Sequence, residues 1–328
     1  MKKTLLIVSA FMAFTSAKAQ NLFSFGFGGT TADLTTAGWV RTNQSTSAST
    51  TSLWSIASYT EVTVDNVTTF ATPFQNQTYA AGDTCPIPNG QDGTPNTFAL
   101  VNYTSTTSTA ASGATISNWL ITPTINVANG DVVTFYTRKG TSGTTDYPDR
   151  LELRMSSAAT TVQPTGGPTG VGSFTTLCTS VNPALAAGFV YPKVWIQYTY
   201  TVSGLSGPTA VKFAFRYYVT NAGTNGSNSD IIGIDTFSVD RPLSTSDFFS
   251  QNFAISPNPV KSSFNLTVKN GASVQNVKVI DMNGRVVNTT DVSDLNDIQL
   301  NLADLSTGVY FVKVQSDLGI GTSKIIKQ

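Results

Sequence analysis

The acidic side chains are the first residues of this chain to consider for chemistry, because the sequence contains no histidine. Without histidine the chain cannot form a Ser-His-Asp or Cys-His nucleophile pair, and it lacks the usual proton shuttle near neutral pH. Histidine-ligated zinc is excluded, and two cysteines are too few for a cysteine-rich zinc site. The chemistry left open is that of carboxylates, hydroxyls, amides and aromatic rings.

Three aspartates are candidate ligands for a structural calcium ion: Asp149, Asp230 and Asp235. Asp235 interrupts an otherwise apolar strand, and a buried carboxylate is costly unless it is paired, hydrogen-bonded or bound to a cation. Asp230 follows the polar loop 225–229, and Ca²⁺ prefers oxygen ligands of this kind. The residues leave an alternative open, in which these carboxylates accept hydrogen bonds from turn amides.

Glycoside hydrolysis is the enzymatic reaction that the acidic residues still permit, since it needs only two carboxylates at roughly 5–10 Å across a groove. Glutamate occurs only at positions 61 and 152. Glu152 is the most plausible acid, because it lies on the strand face opposite the apolar side chains, and Glu61 or Asp149 would be its partner. No clustered acidic motif supports this reaction, so we expect a protein without catalytic activity.

Aromatic residues in polar, loop-like surroundings are candidates for binding a sugar. Aromatic faces stack on pyranose rings, while neighbouring polar groups orient the hydroxyls. Four residues have such surroundings, and we expect their side chains to be exposed: Trp54, Tyr59, Tyr103 and Tyr147.

Alternating apolar residues predict that the elements carrying these side chains are β-strands. Turn residues separate the strands, and helical periodicity is nearly absent, which favours two packed antiparallel sheets. Charged residues make up 12% of the chain and the formal net charge is zero, so no basic field attracts nucleic acid or an anionic membrane. The clearest strands are Val132 to Arg138, Arg150 to Ser156, Val194 to Val202, Val211 to Val219 and Ile231 to Val239.

The first nineteen residues have the pattern of a secretory signal peptide. Lys2 and Lys3 precede the apolar run Leu5 to Phe14, and Ala17-Lys18-Ala19 is a cleavage signal. The mature chain would begin at Gln20, and no later segment is apolar enough to be a transmembrane helix.

Export permits a disulfide between Cys85 and Cys178. Closing so long a loop would stabilise the fold by about 4–5 kcal/mol in the chain-entropy model. The alternative is two unpaired, semi-buried thiols.

The C-terminal region has several separated motifs in a characteristic order. SPNP at 256–259 is followed by DMNGRVV at 281–287, LSTGVYFVKV at 305–314 and a basic end. Asn283-Gly284 predicts a hairpin with a type I′ turn. This order resembles the type A sorting domain of the bacterial type IX secretion system. The resemblance implies a small Ig-like β-sandwich that engages the type IX machinery and takes the protein from the periplasm across the outer membrane.

The central region also resembles a known family. NWLITP at 118–123, DRLELRMS at 149–156, FAFR at 213–216 and IDTFSV at 234–239 occur in the order of the cleaved-adhesin or choice-of-anchor J family. The resemblance implies a jelly-roll β-sandwich that acts as an adhesive module, in some members with structural calcium near the late aspartate, here Asp235.

These observations predict an all-β protein of two sandwiches. We expect a signal peptide at 1–19, an adhesin-like jelly roll at 20–240, a linker at 241–252 and a sorting domain at 253–328. The expected function is non-catalytic recognition of a glycan or extracellular protein at the cell surface or outside the cell. The alternatives are a polysaccharide-active hydrolase or its accessory module, and a purely structural surface component.

Overall fold

The structure is a computed structural model that describes residues 20–141, 143–242, 244–269, 271–291 and 297–328. The expected signal peptide, 1–19, lies outside the described residues. The described chain divides into a larger unit, Asn21–Arg241, and a C-terminal unit that begins at Pro242. Among the described helices, none is both long enough and apolar enough to span a bilayer.

The larger unit consists almost entirely of short strands. One short helix, α1, spans Thr31–Thr36, and Asp33 accepts a hydrogen bond from the backbone of Thr30 at its N-terminus. The strands are β1 Gln20–Phe25, β2 Val40–Asn43, β3 Ser55–Ile56, β4 Val62–Thr63, β5 Thr84–Cys85, β6 Ala99–Asn102, β7 Ala114–Ile121, β8 Ile125–Val127, β9 Val132–Gly140, β10 Leu151–Ser156, β11 Thr176–Val181, β12 Ile196–Thr201, β13 Thr209–Ala222 and β14 Ile231–Arg241.

Two six-stranded sheets form the sandwich. One has the order β12-β9-β14-β6-β3, with β1 paired to β14, and the other has the order β11-β10-β13-β7-β2, with β8 paired to β13. Their facing side chains form one apolar core, in which Phe135 and Phe215 meet edge to face at 5.1 Å. The strands β4 and β5 form a separate two-stranded pair. The sequence-based expectation of an all-β sandwich is confirmed.

A β-bulge in β14 explains why its sequence is apolar at both alternating phases. The pairing of β14 with β9 shifts between Asp235 and Ser238, and Thr236 has φ of 49°. An extra residue at a bulge reverses which face the following side chains take. Ile234 before the bulge and Phe237 after it therefore both enter the core.

The described residues of the C-terminal unit form one helix and two sheets with their own apolar core. The sheets have the orders β15-β16-β19 and β18-β17-β20-β21. The elements are α2 Thr245–Asn252, β15 Phe253–Ser256, β16 Ser263–Val268, β17 Val274–Asp281, β18 Val286–Asp291, β19 Asp297–Asn301, β20 Gly308–Ser316 and β21 Gly319–Lys327.

The segment expected to be a linker, 241–252, is largely helix α2. Ser244 caps the helix by accepting a hydrogen bond from the Asp247 amide at 3.1 Å. Phe248 and Phe249 are 4% exposed and belong to the core of the C-terminal unit. Most of this segment is therefore part of a folded unit, because two adjacent aromatic side chains anchor it.

The turn between β17 and β18 differs from the predicted type I′ turn. Gly284 has φ of +81°, whereas Asn283 is not in the left-handed region. The Asp281 carboxylate accepts hydrogen bonds from the amides of Asn283 at 3.0 Å and Arg285 at 2.9 Å. These bonds favour a longer connection in which only the glycine needs positive φ.

Candidate functional site

A surface cavity of about 360 Å³ at one end of the larger unit is the candidate site. Two partly exposed aromatic side chains flank it, Tyr103 at 38% and Tyr147 at 39% exposure. The rest of its lining comes from one loop, 222–230, whose side chains are small or polar. We call this cavity the tyrosine pocket; it is lined by Tyr103, Tyr147, Gly223, Thr224, Asn225, Gly226, Ser229 and Asp230.

Hydrogen bonds to backbone atoms position Tyr103 at the edge of the pocket. Tyr103 begins a short 3-10 turn after β6, and the Asn102 side chain caps that turn by accepting from the Thr104 amide at 2.9 Å. The Tyr103 amide donates to the Asp230 carbonyl oxygen at 2.8 Å. The tyrosine is therefore tied to the loop that forms the floor of the pocket.

The loop 222–230 depends on glycine at two places. Gly223 has φ of +89°, and its amide donates to the Ser229 hydroxyl at 2.9 Å. A Cβ atom at Gly226 would clash with the carbonyl oxygen of Asn221. Side chains at these positions would force the loop out of the conformation that shapes the pocket.

Beneath the pocket lies a group of buried polar side chains, which we call the lysine cluster: Lys139, Asp146, Asp149 and Tyr217. The Lys139 Nζ atom lies 2.5 Å from Asp146 Oδ1 and 3.0 Å from Asp149 Oδ2. It also donates to the Tyr147 carbonyl oxygen at 2.8 Å. The cluster therefore holds the backbone on either side of the Tyr147 side chain that borders the pocket.

Asp149 links the lysine cluster to the pocket loop. Its Oδ1 atom accepts hydrogen bonds from the Tyr217 hydroxyl at 2.5 Å and from the Asp230 amide at 2.9 Å. Burial raises the pKa of Asp149, and the nearby Lys139 ammonium only partly offsets this effect. Burial likewise raises the pKa of Tyr217 well above its ordinary value.

Sequence reasoning missed Lys139 and Asp146, although the sequence carries a signal for the lysine. Lys139 continues the alternation of the inward-facing Val133, Phe135 and Thr137, and it is fully buried in β9. A lysine in the buried phase of a strand requires a carboxylate partner. The sequence does not reveal that Asp146 and Asp149 supply it.

The three aspartates expected to bind calcium do not form a calcium site in this structure. Asp149 and Asp230 are adjacent, but the Lys139 ammonium lies against Asp149 and already supplies the compensating positive charge. Asp235 makes its contacts elsewhere, and no group of three or more acidic or cysteine side chains in the described residues could hold a metal ion. The residues present therefore do not fit the calcium implied by the family resemblance.

Asp235 is an acceptor for backbone amides, the alternative that the sequence left open. Its Oδ2 atom accepts from the Gln91 amide and its Oδ1 atom accepts from the Thr236 amide, both at 2.6 Å. It is 2% exposed, and burial raises its pKa to about 6. The carboxylate therefore fastens the loop around Gln91 to the bulge in β14.

The four candidate aromatic residues divide into two pairs. Tyr103 and Tyr147 border the pocket. Trp54, expected to be exposed, is fully buried, and its indole N–H donates to the Asn118 carbonyl oxygen at 3.2 Å. Tyr59 packs edge to face on Phe74 at 6.2 Å, and burial raises its pKa to about 12. Polar neighbours in the sequence did not reveal that Trp54 and Tyr59 pack against the core.

The candidate acids of a hydrolase are also separated. Glu152 lies on the outer face of its sheet as expected, but it is only 6% exposed. It pairs with Arg154 at 2.7 Å and with the buried Arg216 at 3.1 Å. Arg216 also donates to the Pro168 carbonyl oxygen in the segment that covers this face. Glu61 is exposed beside β4 and Asp149 is fully buried against Lys139, so neither partner expected for Glu152 shares its surroundings.

The expected disulfide is not formed, and both cysteines are free thiols. Cys85 packs with Val64 and Tyr79 near the β4–β5 pair, whereas Cys178 lies in β11 against the main core. Burial raises the pKa of Cys178 to about 12. The prediction was wrong because the two strands belong to different parts of the unit, which sequence could not show.

Comparison with known proteins identifies the C-terminal region. Residues 254–328 match the family model described as "Secretion system C-terminal sorting domain". The predicted type IX sorting domain is thereby confirmed, and the protein is exported across the outer membrane to the cell surface or the extracellular space. No curated protein matches the chain.

Solved structures similar to this chain include two adhesin modules. The K3 cleaved adhesin domain of Lys-gingipain from Porphyromonas gingivalis is 12% identical, with a TM-score of 0.36 over 67% of this chain and 99% of that one. The K1 domain is 16% identical, with a TM-score of 0.34 over 67% and 97%. The glycoside hydrolase domain of Endo-D from Streptococcus pneumoniae is 10% identical, with a TM-score of 0.26 over 71% and 34%. Likenesses of this size do not determine an activity.

Proposed function

We propose that the larger unit is a non-catalytic binding module that holds a saccharide unit of a glycan in the tyrosine pocket. The observation that carries this proposal is the pair of partly exposed tyrosines, Tyr103 and Tyr147, on a cavity of about 360 Å³. Ligand pockets of small molecules have volumes of roughly 300–1,000 Å³, so the cavity suits one or two sugar rings. The sorting domain brings this pocket to the outside of the cell, where glycans are available.

The chemistry of the lining also favours a sugar. Tyrosine rings supply apolar faces for stacking, and the hydroxyls, amides and backbone atoms of loop 222–230 can orient sugar hydroxyls. Asp230 adds a carboxylate, which accepts hydrogen bonds from hydroxyl groups. The bonds from Tyr103 and Ser229 to their neighbours fix the pocket before a ligand arrives, which reduces the entropy lost on binding.

The pocket does not support a hydrolase. Among its lining residues, Asp230 is the single carboxylate, whereas glycoside hydrolysis needs two across the scissile bond. Glu152 is held in ion pairs with two arginines under a covering segment. Recognition at equilibrium, without turnover, is the function that this geometry favours.

A glycan array probed with the mature protein tests the proposal. Tyr103→Ala and Tyr147→Ala should each weaken binding about 30-fold, the loss expected of an aromatic hot spot of about 2 kcal/mol. Tyr103→Phe keeps the ring face and should retain most of the affinity. Tyr136→Ala, on β9 away from the pocket, is the matched control and should bind like the wild type.

Two results would contradict this function. Binding that survives both alanine substitutions would place the ligand elsewhere on the protein. Release of reducing sugar from a bound glycan would show that the protein is a hydrolase. If this release is lost in Glu152→Gln, Glu152 is the catalytic acid of that hydrolase.

A further inference from the structure

Lys139 and Asp146 place an amine against a carboxyl group in a site closed to water. The Lys139 Nζ atom lies 2.5 Å from Asp146 Oδ1, and the two side chains are 0% and 8% exposed. The carboxyl carbon is at most one bond farther away, close to the roughly 3–3.5 Å of reacting atoms in near-attack geometry. Binding in the tyrosine pocket does not use this pair.

We propose that Lys139 and Asp146 condense into an intramolecular amide bond between Nζ and Cγ, with Asp149 as the proton carrier. The inference is independent of what the tyrosine pocket binds. It assigns a covalent modification to the lysine cluster. The structure shows the two reacting groups, the Lys139 amine and the Asp146 carboxyl group, before they are joined.

The surroundings of Asp146 suit attack at its carboxyl carbon. The Phe189 amide donates a hydrogen bond to Asp146 Oδ2 at 2.7 Å. When the amine adds to the carbon, negative charge develops on this oxygen, and a fixed backbone N–H stabilises it as in an oxyanion hole. The hydrogen bond from Lys139 to the Tyr147 carbonyl oxygen, at 2.8 Å, holds the amine in place for the attack.

Asp149 is placed to carry the protons. Its Oδ1 atom is held by Tyr217 and by the Asp230 amide. Its Oδ2 atom has no well-aligned hydrogen-bond partner and lies 3.0 Å from the Lys139 amine. Burial raises the pKa of Asp149, which favours its protonated form.

The reaction balances without an added reagent. An ammonium at Lys139 and a carboxylate at Asp146 first exchange one proton, which leaves a neutral amine and a neutral acid. The amine adds to Cγ, and Asp149 takes a proton from Nζ while returning its own to the departing oxygen. The C–O bond breaks, one water molecule leaves, and Asp149 ends in its starting protonation state.

The bond would hold the loop that borders the tyrosine pocket. It would tie β9 covalently to Asp146, the residue before Tyr147. It would also replace a buried ion pair, whose charges are costly to keep out of water, by a neutral amide. The loop would then retain its place even when the ion pair is weakened by extremes of pH.

Peptide mass mapping of the denatured, trypsin-digested full chain tests the proposal. Trypsin cleaves after lysine and arginine, so an unmodified chain yields residues 140–150 as a separate peptide. The condensed chain instead yields 139–150 as one peptide that lacks the mass of one water, because an amidated Lys139 is no longer a cleavage site. Recovery of 140–150 at full mass from the wild type would overturn the proposal.

Three variants separate this bond from other ways of losing water. Lys139→Gln should give 139–150 at its full mass; a persistent water loss would indicate cyclisation of an aspartate and refute the amide. Asp149→Asn should restore cleavage after Lys139, and a cross-link that survives would refute the role of Asp149. Lys193→Gln is the matched control, because Lys193 packs on the Phe189 ring at 3.7 Å beside the cluster, and it should keep the cross-link.

Discussion

Replacing Asp235 by asparagine should change how the stability of the larger unit depends on pH. Burial raises the pKa of this carboxyl group to about 6 from its ordinary value of 3.8. As the pH falls from 7 through 6, the folded protein takes up the proton before the unfolded chain does. The free energy of unfolding of the wild type therefore rises relative to the variant, and the gain is complete below pH 3.8.

The size of the effect follows from the pKa difference. One pKa unit corresponds to about 1.4 kcal/mol, so the shift from 3.8 to about 6 corresponds to about 3 kcal/mol in full, of which about 2.4 kcal/mol appears between pH 7 and pH 4. The Asp235 carboxylate accepts hydrogen bonds from the amides of Gln91 and Thr236. Asparagine has an NH₂ group in place of one carboxylate oxygen, so one of these two hydrogen bonds is lost in the variant. That cost is independent of pH and cancels when the wild type and the variant are compared at two pH values.

Tryptophan fluorescence during urea unfolding measures this quantity on the larger unit alone. All 4 tryptophans of the chain lie within it, including Trp39 and Trp195. Asp33→Asn is a control of opposite sign, because hydrogen bonds from Thr30 lower the pKa of Asp33 and its contribution is lost as the pH falls. If the free energies of unfolding of the wild type and Asp235→Asn differ by the same amount from pH 7 to pH 4, the reasoning is refuted.

Four further changes test other parts of the structure. Glu152→Ala should lower the free energy of unfolding by about 3–5 kcal/mol in urea, because the Arg216 guanidinium is left buried without its counter-charge; a loss below about 1 kcal/mol would contradict this. Trp54→Ala should cost about 3–5 kcal/mol in the same assay, as a core residue does, and glycan affinity of the folded fraction should be unchanged. A calcium chelator should leave the thermal midpoint unchanged, since the Lys139 Nζ atom lies 3.0 Å from Asp149 Oδ2, in the space that a calcium ion would need, and a clear drop would restore the calcium hypothesis. Deleting residues 253–328 should leave the protein in the periplasm on cell fractionation, and normal secretion would contradict the role of the sorting domain.

Strand positions were accessible from the sequence because the period of two in a half-buried strand is a local property. The pattern predicted strands at 132–138 and 211–219, and the structure has them at Val132–Gly140 and Thr209–Ala222. The bulge in β14 was not accessible, because alternation within one strand does not reveal where its pairing with a neighbour shifts.

The candidate site was partly accessible for a related reason. Tyr103 and Tyr147 were identified from residue type and polar surroundings, and they border one cavity; Asp230 lies in the same lining but was predicted as a calcium ligand. Trp54 had similar surroundings in the sequence, yet it lies in the core. Exposure of an aromatic residue in a loop depends on what packs over that loop, and residues distant in sequence decide it.

The sequence by itself determined three properties. Alternation predicted the all-β architecture, composition excluded catalysis that depends on histidine, and contiguous motifs identified the sorting domain. Tertiary structure alone decided the partners of the buried charges. Lys139 meets Asp146 and Asp149, Arg216 meets Glu152, and the two cysteines remain apart. A charge in a low-dielectric interior is stable only beside its counter-charge, and the distances that satisfy this condition are set when the sheets pack.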